Sequence, residues 1–128
     1  MKTKNIYLII GGIINLFTAF LHFIGGQMTL INPLNNSNLE LQVKTELLGV
    51  WHMGTIILFL TSFLLLYFGF KQGKNLPKEL IKFIGYIYIL FSVAFIVVSI
   101  INFQLAPQWT LLLPIGVLAL VGIRKSKI

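Results

Sequence analysis

Cysteine is absent from the 128 residues, so disulfides, thiolate metal sites, iron–sulfur ligation and thiol nucleophiles are all excluded. Acidic residues are almost as scarce: Glu40, Glu46 and Glu79 are the only three. None of them falls in a long apolar run, which removes a carboxylate proton relay, a paired-carboxylate site and a Ser-His-Asp set from consideration. No glycine-rich phosphate loop is present either. Charged residues make up 10% of the chain, well below the roughly one quarter usual for soluble domains, and no polar stretch is long enough to form a separate one.

Apolar sequence fills the space instead, with 57% hydrophobic residues and a mean hydropathy of +0.92. Four runs, Ile6–Ile24, Leu47–Phe70, Phe83–Phe103 and Pro107–Ile123, each approach the roughly 20 residues needed to cross a ~30 Å hydrocarbon layer. The expected fold is therefore all-α: an integral membrane four-helix bundle forming a single transmembrane domain over 1–128. The first run follows Lys2 and Lys4 but is longer than a secretory h-region and lacks a small-x-small cleavage site, so it reads as the first span.

The net charge of +7 has a topological origin. Nine of the ten basic residues fall before span one, between spans two and three, or after span four, and Lys44 alone lies on the other side. The positive-inside rule then places both termini in the cytoplasm and the connections 25–46 and 104–108 outside. Bases at helix ends do not make a continuous basic face, so nucleic acid is not an expected partner, whereas anionic lipid is. Lysine preference over arginine and richness in Ile, Asn and Phe associate the chain with an AT-rich prokaryotic genome, hence a bacterial cell membrane. Short connections imply antiparallel neighbours in an up-down-up-down order.

Several boundary signals are specific. Gly25-Gly26 reads as the stop of span one, with Pro33 preventing early resumption. Ser37-Asn38-Leu39-Glu40 has the spacing of a capping box, which predicts a helix from about Asn38 through Phe70. Gly73 and Pro77 read as a helix stop and start, and Pro107 as the opening of span four. Asn35-Asn36-Ser37 also matches a glycosylation sequon, a triplet common by chance.

Inside lipid, small and hydrogen-bonding residues mark helix contacts. Span one offers Gly11, Asn15, Thr18, His22 and Gly25; span two offers Gly49, His52, Thr55 and Ser62; span three offers Gly85, Tyr88, Ser92, Ser99 and Asn102. At ~1.5 Å per residue, His22 lies about 24 Å along span one from inside and His52 about 7–8 Å deep from outside. The two imidazoles are thus expected at one level, near Asn102 and Gln104, with Trp51 and Trp109 as interfacial anchors.

An ionisable side chain below the membrane surface is a functional-site hypothesis by default. One reading makes His22 and His52 helix pins, bonded to each other, to Thr55 or to Asn102. A second makes His22, His52, Thr55 and Asn102, with Trp51 at the rim, an outward-facing binding site for a lipid-like or quinone-like amphiphile. A third assigns His22 and His52 to haem, or to a divalent metal with a loop acid. A fourth treats the chain as a structural subunit whose small-residue seam meets another copy or a membrane partner. The second, non-enzymatic reading is the leading expectation.

His22-Phe-Ile-Gly25-Gly26 and Gly49-Val-Trp51-His52-Met53-Gly-Thr55 resemble motifs of a group of uncharacterised small four-span bacterial membrane proteins. In size and span count the chain is also similar to DoxX-like proteins, some of which are linked to quinol oxidation. No DoxX motif matches residue by residue, so that likeness implies a fold and no activity.

Overall fold

The structure is a computed structural model and describes residues 4–71 and 76–125. It is all-helical, with four helices and no strand among the described residues. Helix α1 covers Ile6–Asn35, α2 Leu41–Phe70, α3 Lys78–Ile101 and α4 Trp109–Lys125. The first three are long and apolar enough to cross a membrane. With 17 residues, α4 is about 26 Å long and falls short of the ~30 Å hydrocarbon thickness.

Helix α1 packs against α2 and α4, and α3 packs against α4. Glycines set how closely these pairs approach. A Cβ on Gly12 would strike Leu66, one on Gly69 would strike Ile9, and one on Gly116 would come within 2.7 Å of the Gly85 carbonyl oxygen. Gly122 faces Leu8 and Gly11 faces Leu118 across α1/α4, while Gly85 faces Leu120 and Gly116 faces Ile89 across α3/α4; early residues thus meet late ones, and α1/α2, α1/α4 and α3/α4 are each antiparallel. The consecutive helices α2 and α3 approach each other less closely.

The start of α1 and the ends of α2 and α4 share one level because Asn5 ties them together. Its backbone N–H donates to Gly69 O at 2.9 Å, its side-chain amide donates to Gly122 O at 2.8 Å, and its Oδ1 caps α1 at the Leu8 N–H. Residues such as Leu8, Leu65, Ile81 and Ile115 form the core, while Phe17, Phe63, Phe83 and Leu90 cover the outside with apolar surface.

Two boundaries differ from the sequence expectation. Helix α1 does not stop at Gly25-Gly26 but continues to Asn35, passing through π-type turns at Leu21–Gly25 and Gln27–Ile31. Glycine permits a stop without forcing one, and Gly26 keeps a helical φ of −65°. Pro33 enters just after the second π turn, in the first turn of the α-helical segment Asn32–Asn35. The capping box does not form: α2 starts at Leu41 with Glu40 making no side-chain cap, and the Ser37 hydroxyl donates backward to Leu34 O at 2.6 Å. Lys44 Nζ donates to Asn35 O at 3.0 Å, placing a positive charge at the carbonyl end of α1.

Between α2 and α3, α2 ends at Phe70, with Lys71 extended; Gly73 lies outside the described residues. Pro77 precedes α3 as its N-cap, and Pro107 lies in the turn before α4.

Candidate functional site

The half of the α1/α2 interface remote from Asn5 is built around Trp51. Its indole lies face to face with the His22 imidazole, with ring centroids 3.7 Å apart and planes inclined by 11°. One helical turn beyond His22, Gly26 makes the slot possible, because any Cβ there would overlap the indole's Cζ2–Cε2 edge. His22 and Gly26 on α1 thus form a notch, and α2 inserts an aromatic plate into it.

Hydrogen bonding fixes the imidazole. His22 Nε2 lies 3.2 Å from Trp51 O, and a carbonyl can only accept, so Nε2 carries a proton and donates it. Thr55 Oγ1 donates to the same carbonyl at 3.2 Å. The Trp51 Nε1–H is enclosed and has no acceptor among the described residues.

The expected site residues therefore separate into two groups. His22, Trp51 and Thr55 converge on one carbonyl, whereas His52 is exposed and makes no described hydrogen bond with His22. Asn102 is also exposed: its amide donates to Val98 O at 2.9 Å while its backbone ends α3. The cause is helical phase. The inward positions of α2 are Trp51, Thr55, Leu58, Ser62, Leu65 and Gly69, at alternating steps of four and three, which leaves His52 one residue off the seam.

Haem and metal fit poorly here. His22 Nε2 is engaged with Trp51 O, and His52 is exposed on α2. Among the described residues, no three His, Asp or Glu side chains come together to hold a metal ion.

A second polar cluster lies deeper. Asn15 Nδ2 donates to Thr61 Oγ1 at 2.9 Å, Tyr88 Oη donates to Asn15 Oδ1 at 2.8 Å, and Thr61 Oγ1 lies 2.6 Å from Tyr88 Oη. The Thr61 proton then goes either to Tyr88 or to Ile57 O at 2.7 Å. Asn15 and Tyr88 are fully buried, and the ring joins α1, α2 and α3. Asn15 and Tyr88 stand in the predicted seams, but Thr61 does not. The adjacent Thr61-Ser62 pair was the available signal, and both members prove to be used.

The chain matches no family model, no curated protein and no solved structure. The likeness to DoxX-like proteins therefore remains one of size and hydropathy.

Proposed function

We propose that the chain is a four-span integral protein of a bacterial cytoplasmic membrane, with both termini inside, acting as a non-enzymatic binding or accessory protein for a lipid-like or quinone-like amphiphile. Three helices of sufficient length and apolarity support membrane insertion. The fourth, though short, packs antiparallel against α1 and α3's neighbouring face, which favours its lying in the same layer. The basic residues described at one end, Lys4, Lys71, Lys78, Lys82, Arg124 and Lys125, support an inner side there.

One observation carries the binding reading: the His22–Trp51 stack seated against Gly26, where α1 departs from α-helical bonding on both sides of that glycine. π-type turns occur frequently at functional sites. Ordinary helix packing requires neither a stacked imidazole and indole nor a widened backbone opposite them. Thr55 orients the carbonyl that holds His22, while His52 and the expected Asn102 contact stand outside this cluster.

Extraction of small molecules from protein purified in mild detergent tests the reading. A stoichiometric amphiphile is expected with the parent chain and loss of that amphiphile with Trp51→Ala, at unchanged helicity. Equal recovery from both chains would reject it.

A further inference from the structure

We propose that the flank of the last turn of α2, at the end of the bundle held by Asn5, is a headgroup site for the phosphate of an anionic phospholipid, bound by the ammonium groups of Lys4 and Lys71. The site lies at the far end of α2 from Trp51 and stands independently of the binding reading above. Two exposed rings mark it. Lys4 Nζ stands over the Phe70 ring, 5.4 Å from its centroid, and Lys71 Nζ stands over the Tyr67 ring at 5.5 Å. Tyr67 and Phe70 are three residues apart, so their rings leave the helix on one side. The two ammonium groups come from different elements, and Asn5 gathers them. Its N–H donates to Gly69 O at 2.9 Å, which sets the preceding residue, Lys4, beside the end of α2.

The charges at this end lack a matching anion. Among the described residues there, Lys4, Lys71, Lys78, Lys82, Arg124 and Lys125 face a single acid, Glu79, and Glu79 is already paired with Lys82 at 2.7 Å. A ring face attracts an ammonium through its quadrupole but does not neutralise it. Two like charges on one flank are stabilised by an anion that accepts from both, and a phosphate diester does so through two charge-assisted hydrogen bonds. The apolar surface selects lipid over free phosphate. Met53, Ile56, Leu60, Phe63, Tyr67 and Phe70 are all exposed and follow one another at steps of three and four, forming a continuous stripe along α2 that ends beneath the two ammonium groups. A phospholipid fits both parts, with its acyl chain along the stripe, its glycerol level with the two terminal rings and its phosphate at the lysines. Free phosphate would meet the cations and leave the stripe bare.

The test separates a placed pair of charges from net charge. The chain in mild detergent is titrated with dioleoyl phosphatidylglycerol or dioleoyl phosphatidylcholine, and bound lipids are counted by native mass spectrometry. One phosphatidylglycerol is expected to bind in preference to phosphatidylcholine. Lys4→Gln and Lys71→Gln are each expected to weaken it about fivefold. Lys82→Gln and Arg124→Gln, which remove the same charge from α3 and α4, are expected to leave it unchanged, and Lys71→Arg to retain it. Equal weakening by all four glutamine variants would reduce the site to diffuse charge and overturn the proposal. Equal binding of the two lipids, or loss in Lys71→Arg as large as in Lys71→Gln, would also overturn it. Displacement of phosphatidylglycerol by inorganic phosphate would assign the lysines to a free anion and remove the lipid.

Discussion

At the scale of single residues, the informative positions are those where a side chain and its backbone disagree. Phe103 has φ of 49°, in the left-handed region, and is 97% exposed. It occupies the position after the α3 C-cap, flanked by the bonds Gln104 N–H to Ser99 O and Phe103 N–H to Ile100 O, a Schellman arrangement that ordinarily takes glycine. Phe103→Gly is expected to raise stability by about 1 kcal/mol in a mixed-micelle unfolding assay; a loss of that size would show that the exposed ring contributes more than the backbone costs. Gly26→Ala is expected to do the reverse. Its methyl has no room beside Trp51, so about 1–3 kcal/mol should be lost together with the near-ultraviolet signal of the stacked indole. In the deeper ring, Tyr88→Phe strands Asn15 Oδ1 and is expected to cost about 1 kcal/mol. Combined with Asn15→Ala it should cost less than the sum of the two changes, because both break the same bond. Full additivity would dissolve the ring as a unit.

Elements were more legible in the sequence than their rotations. Apolar runs bounded by lysine and proline announce four helices, because length and solvent settle that question without detail. Phase is harder, since polarity and burial do not coincide within lipid. Reading polar residues as inward put His52, Thr55 and Ser62 on one seam, and the structure keeps Thr55 and Ser62 but replaces His52 with Trp51. A tryptophan near a helix end looks like an interfacial anchor until a glycine on the facing helix makes room for its whole plane, and that pairing is a tertiary fact. Asn102 was misplaced for a related reason: a polar residue at the end of a helix serves its own last carbonyls first. The α3/α4 crossing is a place where spacing and contact agree. Gly116→Ala would force the Cβ toward Gly85 O, and separation of this hairpin is expected to appear as a fall of several degrees in detergent melting temperature; an unchanged melt would mean that the crossing can open without cost.

For the whole molecule, the unequal lengths matter most. Helices α1 and α2 each have 30 residues, about 45 Å, against 24 residues in α3 and 17 in α4. The start of α1 and the ends of α2 and α4 are joined at one level through Asn5, so the excess of the first hairpin falls at the opposite end, carrying Asn35–Glu40 beyond the Asn102–Gln108 turn. The absence of cysteine makes the proposed orientation directly measurable. A single Asn36→Cys should react with an impermeant maleimide in intact cells, and Lys125→Cys should react only after permeabilisation. The reverse pattern would invert the topology and move the Trp51 site to the cytoplasmic leaflet.

The bonds of Asn5 also bear on how the protein is made. During synthesis, its partner on α4, Gly122, emerges more than a hundred residues after Asn5 itself. Until then the amide lacks the acceptor it has in the finished fold, and the start of the first helix waits on the arrival of the last. Helices can form one by one, but closure at the end held by Asn5 is a late event, and a chain shortened before Gly122 would leave that seam unsealed.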